Sequence, residues 1–224
     1  MRTALTLVVT MLLATTALAG PPLICGPFDI GSARSLPWQG PSWSRIDQDY
    51  DPKGLVGDTL ALLTPDTPVL VRMETLRRAT VYARNDAALA GQLLARLQAR
   101  VAVKPKNTPE YALALFDIGY LTETCRQAHW ISANAKEEFW KFQQTDPRQD
   151  GYSLVARALE LRGNDPAMEF AAAVITLDTH KAAHREHLQR AMAGAPAGSL
   201  LEQNLTSHFA DEIRELRRIA QKNR

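Results

Sequence analysis

The strongest constraint on this chain is the stretch from Thr67 to Val103, where two helical hydrophobic periods are separated by a few polar residues. Val69, Met73, Leu76, Thr80 and Ala83 recur at three- and four-residue intervals, and Leu89, Leu93, Leu94, Leu97 and Val101 follow suit. Such a period belongs to an amphipathic helix with one buried stripe. Thr67 is placed to cap the first helix, and Pro68 suits its first position, where no backbone N–H is needed. Arg84-Asn85-Asp86 interrupts the pattern, with Asn85 as the expected N-cap of the second helix. A connection this short requires antiparallel helices, stripe against stripe. Gln92, Arg96 and Arg100 are expected to face outward. Glu74 precedes Arg78 by one helical turn, an exposed pair worth about 0.3–0.5 kcal/mol.

The rest of the chain is expected to stack further helices on that pair. Thr108-Pro109 repeats the cap-and-proline device, and Ala112, Phe116 and Gly119 share one side of the helix it opens, where the glycine permits close approach. Trp130, Phe139, Trp140 and Phe142 crowd the stretch after His129, and Asp146-Pro147 breaks the pattern. Leu154, Ala158 and Leu161 resume it, Gly163 closes it, and Asp165-Pro166 opens AMEFAAAVITL. One helix then runs through Met192. A last one starts at Ser199, with Phe209, Ile213, Leu216 and Ala220 inward. The expected fold is all-α: stacked antiparallel helix pairs over residues 67–224, preceded by an extended Pro/Trp-rich arm over residues 20–66.

The lines ALALFDIGYL and ARALELRGNDPAMEFAAAVI place a small-residue-rich helix, a turn carrying Asp-Pro and a second helix in succession. In this they resemble tetratricopeptide-type helical repeats over residues 109–195. The resemblance implies a stacked array whose concave face binds a protein or peptide. It implies no particular site residue.

In the arm, Pro and Gly recur too often for a long helix, while Phe28, Trp38, Trp43 and Tyr50 argue against disorder. These rings are expected to pin the arm into grooves of the helical body. Trp38 and Trp43 are also the candidate partner-binding aromatics, since tryptophan is a favoured interface anchor. Asp58 to Leu63 is expected to start a short helix ended by Pro65.

Met1 to Ala19 reads as a signal peptide: Arg2, an apolar run from Ala4 to Ala14, and small Ala17 and Ala19 before Gly20. The run is shorter than the roughly 20 residues a bilayer needs, and nothing later is long and apolar enough. The mature chain is therefore expected to be exported to the periplasm or outside the cell, with no transmembrane segment. There, a Cys25–Cys125 disulfide and two buried thiols are equally reasonable. The formal net charge is +2, from 26 basic and 24 acidic residues; losing Arg2 with the signal leaves 25 against 24, or +1. A balance this even does not point to nucleic acid as a partner.

One chemical constellation stands out. His180, His184 and His187, in LDTHKAAHREHLQRA, fall at i, i+4 and i+7 and so share one helical face. Three such imidazoles can hold zinc, copper or nickel; the alternative is that they line an inter-helix groove beside Leu188 and Ala191. Zinc-protease, nucleophile-elbow, phosphate-loop, Cys-x-x-Cys and haem-attachment motifs are all missing, so no catalytic residue is nominated and no organic cofactor is expected. The function expected from sequence is an exported helical scaffold that binds a protein or peptide in the cell envelope. The alternative is an envelope metal-binding protein that uses the histidine face.

Overall fold

The computed structural model describes residues 20–128, 150–163 and 165–222. The expected signal peptide, the aromatic run from His129 to Phe142 and Asp146-Pro147 lie outside the described residues. Within them, the chain runs through α1 (Pro22–Cys25), a 3-10 turn (Pro52–Gly54), α2 (Leu55–Leu62), α3 (Val69–Ala83), α4 (Ala87–Ala102) and α5 (Pro109–Ala128). It continues through α6 (Gly151–Arg162), α7 (Pro166–Thr176), α8 (Lys181–Gly194) and α9 (Leu200–Lys222). The architecture is all-α, helices packed on helices, with one isolated antiparallel bridge between Trp38 and Ile46 in the arm.

The helix ends follow local chemistry, with two shifts from expectation. Thr108 accepts from the Tyr111 N–H and Asp165 accepts from Ala167 and Met168, so the caps of α5 and α7 are those the sequence suggests. Gly163 ends α6 at φ 59°, a left-handed conformation that glycine adopts without a Cβ clash. At α4 the cap is Asp86, not Asn85: its carboxylate accepts from the Leu89 N–H. At α3, Pro68 is the capping residue, and the Thr67 hydroxyl instead donates to the Leu62 carbonyl, tying the end of α2 to the start of α3.

The two stripes of the organising pair do not mainly face each other. α3 and α4 each pack more extensively on α5 than on one another. α3 is central, with thirteen of its fifteen residues buried. Its apolar residues extend well beyond one stripe to include Leu70, Val71, Ala79 and Val81. A helix hydrophobic over so much of its circumference needs covering from several sides, and α5, α7, α2 and the arm supply it.

α5 and α6 make the most extensive helix contact. Gly119 and Gly151 meet where they cross: a Cβ built on either would lie 2.5 Å from the other's carbonyl oxygen. Gly119→Ala is expected to force the helices apart and cost about 1–3 kcal/mol in urea unfolding. Gly57→Ala, in α2 with nothing within 4 Å of the added carbon, is expected to gain about 0.5–1 kcal/mol instead. A neutral Gly119→Ala would mean the crossing tolerates more distance than it shows.

Candidate functional site

Charged side chains on α3 build the most polar part of the interior. Arg72 donates to both carboxylate oxygens of Asp117 on α5, at 2.9 and 2.7 Å, and to the Thr67 and Thr64 carbonyls. Burial pushes Asp117 up to about 6, against the opposing pull of Arg72. Two residues on, Glu74 accepts from Arg77 Nε and Nη2 and from Arg78 Nε, each at 2.7 Å, and from the Phe28 N–H at 3.1 Å. The Glu74–Arg78 pair is thus not the exposed one expected: the Glu74 side chain is 1% accessible.

These guanidiniums hold the arm through its backbone. Arg77 reaches the Ile24 and Trp43 carbonyls, and Arg78 reaches the Leu36 carbonyl at 2.6 Å. Both lie over the Trp38 ring, 4.8 and 5.6 Å from its centroid. Trp38 and Trp43 are half-buried and pack with Ile46 on a cluster of Ile24, Cys25, Val81 and Ala128. The Trp38 indole N–H donates to the Ser42 carbonyl. As candidate partner anchors, both therefore already have intramolecular work.

Cys25 and Cys125 are free thiols, each buried, and are not bonded to one another. Cys25 fills the cluster under the tryptophans, while Cys125 belongs to the main core. Burial pushes Cys125 up to about 12 despite a hydrogen bond with Thr80, which leaves it protonated at neutral pH.

The three candidate metal ligands are dispersed. His180 is not within the helix: it precedes α8 with φ −138° and lies exposed, its ring 5.3 Å from that of Tyr152. His184 is buried, with Nδ1 on the Ala173 carbonyl at 2.8 Å and Nε2 on the Glu212 carboxylate at 2.7 Å. His187 is buried with Nδ1 2.5 Å from a Glu169 carboxylate oxygen and 2.9 Å from Arg190 Nη2. Its Nε2 shares a hydrogen bond with the Tyr152 hydroxyl at 2.9 Å. Arg190 completes the network by donating from Nε to Glu169 at 2.8 Å. Every ring nitrogen of His184 and His187 therefore has a protein partner. Among the described residues, no three ligating side chains are grouped to hold a metal ion.

Sequence reading missed the Tyr152–His187–Glu169–Arg190 network because its members come from three helices. The weak signal for it is a charged residue, Glu169, inside the otherwise apolar AMEFAAAVITL. A buried carboxylate there needs a partner.

A cleft of about 390 Å³ opens where α1, α5 and α7 meet, lined by Pro21, Pro22 and Ile175 with Arg126, Gln127, Asp178 and Thr179. Gln127 accepts from the Leu23 N–H and Arg126 pairs with Glu123, which fixes the polar side of the cleft. Comparison with protein-family models, curated proteins and solved structures finds no match for this chain.

Proposed function

We propose that this protein is an exported helical scaffold of the cell envelope that binds a protein or peptide partner. The observation that carries this reading is the cleft at the α1–α5–α7 junction. Its volume suits one or two partner side chains, and apolar walls with a few placed polar groups are what recognition sites use. Arg126 and Asp178 give the rim both signs of charge, so a polar main chain can be oriented across it. The signal-like Met1–Ala19 supports export, and no described helix is long and apolar enough to cross a membrane. The buried ion pairs and His184 and His187 are occupied in holding helices and arm together.

Photo-crosslinking in cells tests this. A photoreactive residue at Asp178 or Thr179, both exposed at the cleft, is expected to give one defined adduct. The same residue at exposed Arg157 on α6 is the control and is expected to give none. No adduct from the cleft, or equal adducts from both faces, would overturn the reading.

A further inference from the structure

We propose that His208 is an acid-operated latch for the N-terminal arm: its imidazole, neutral when stacked on Phe28, holds the arm on α9 and α7, and protonation releases it. The ring lies flush on Phe28, with centroids 4.9 Å apart and planes at 7°. Phe170 of α7 meets its edge at 5.6 Å and Phe209 lies at 6.3 Å, so aromatic carbon surrounds most of it. Nδ1 is 2.9 Å from the Asn204 carbonyl of the preceding turn, and Nε2 faces the Gly26 carbonyl at 3.5 Å. The arm's backbone comes so close here that a Cβ on Gly26 would lie 2.9 Å from Nε2. Directly beside this stack, Asn204 accepts from the Asp29 N–H and donates to the Asp29 carbonyl, each at 2.8 Å. The ring and this amide form one clasp between the arm and α9.

Burial of the ring opposes its charging and outweighs the groups that favour it, the Asn204 and Gly26 carbonyls at its nitrogens and the Glu74 carboxylate. On α3, Glu74 is the carboxylate whose field favours the imidazolium, and it is already engaged by Arg77, Arg78 and the Phe28 N–H. On the arm, Asp29 gives its carboxylate to the Gly31 N–H. On α9, the hydrogen-bonding neighbours are the neutral Asn204 and Ser207, and α7 presents Phe170. Burial accordingly holds His208 below its ordinary value of 6.5. The sign follows. A released His208 binds the proton more tightly than a clasped one, so the clasp is fully favoured above about 6.5 and weakens as pH falls toward the depressed value. Release uncovers the apolar surface of Phe170 beneath Phe28, where the rings now meet edge to face at 5.8 Å.

Amide hydrogen exchange on the mature chain at pH 7.5 and at steps down to pH 5 is the test, expressed as protection factors to remove the intrinsic pH dependence. Protection of the Phe28 and Asp29 amides, which bond to Glu74 and Asn204, is expected to fall by up to about tenfold per pH unit while α5 holds. His208→Phe, which keeps an aromatic stack and cannot charge, is expected to abolish the fall. His184→Gln, outside the clasp, is expected to leave it in place. Constant wild-type protection across the range, or an undiminished fall in His208→Phe, would overturn the latch. The exchange readout is taken at Phe28 and Asp29 and the crosslinking readout at Asp178 and Thr179, so the two results are read separately.

Discussion

Glu74→Ala is expected to be among the most damaging single substitutions in this protein, lowering stability by about 3–5 kcal/mol. The change leaves the Arg77 guanidinium, which is inaccessible to solvent, with only the carbonyls of Ile24 and Trp43 and no countercharge. It also leaves the Phe28 N–H without its acceptor. Removing one partner of a buried pair strands the other, and that desolvated charge dominates the cost. For a chain of this size, the loss corresponds to a fall in Tm of about 10 °C. The arm is expected to loosen first, because Glu74, Arg77 and Arg78 hold it at Phe28, Ile24, Leu36 and Trp43. Early proteolytic cleavage between residues 26 and 45 would report this. The double variant Glu74→Leu/Arg77→Met is expected to recover most of the loss. A single-variant cost below about 1 kcal/mol would show that water reaches the cluster and screens it.

Asp117→Leu is expected to have a comparable effect through Arg72. Asp117 and Arg72 are both buried, and among the described residues the guanidinium bonds to no other carboxylate. The single change is expected to cost about 3–5 kcal/mol, and pairing it with Arg72→Met to return to within about 1 kcal/mol of wild type or above it. Asp117 also carries a pH signature. Its native value of about 6 lies above the ordinary 3.8, so the native state holds this proton more tightly. The contribution is full below about 3.8 and is lost as pH rises through about 6. Urea midpoints measured from pH 4 to 7 are expected to show this decline in the wild type relative to the double variant. Parallel curves would mean that Asp117 is ionised throughout.

The first prediction concerns Glu74, which the sequence presents as half of an exposed pair with Arg78. Arg72 and Arg77 fall outside the stripe of Val69, Met73, Leu76, Thr80 and Ala83, so the local pattern leaves both free to face water. Their burial depends on Asp117, forty-five residues away from Arg72, and on Phe28, forty-six residues from Glu74. No local window contains both members of either contact. The histidines behave similarly. Their spacing suggested one shared helical face, but His180 falls before the helix, and Glu212 and Glu169 claim nitrogens of the other two. The cleft was not legible at all, since its walls come from Gly20, Pro21 and Pro22, from Arg126 and Gln127, and from Ile175, Asp178 and Thr179.

Local sequence pattern was enough for the all-α class, the positions of the described helices after Pro68 to within a residue or two, and the capping at Thr108 and Asp165. It also marked Gly119 as a point of close approach. These are local properties: apolar period, a side-chain oxygen within reach of a free N–H, a missing Cβ. Tertiary structure alone decided that α3 is the centre, that the arm is clasped through its carbonyls to buried arginines, and that Cys25 and Cys125 occupy separate clusters. The physical reason is that burial of charge is a long-range property. A buried guanidinium is tolerable only where distant carboxylates and carbonyls converge on it, and that convergence exists only once the helices and the arm have packed.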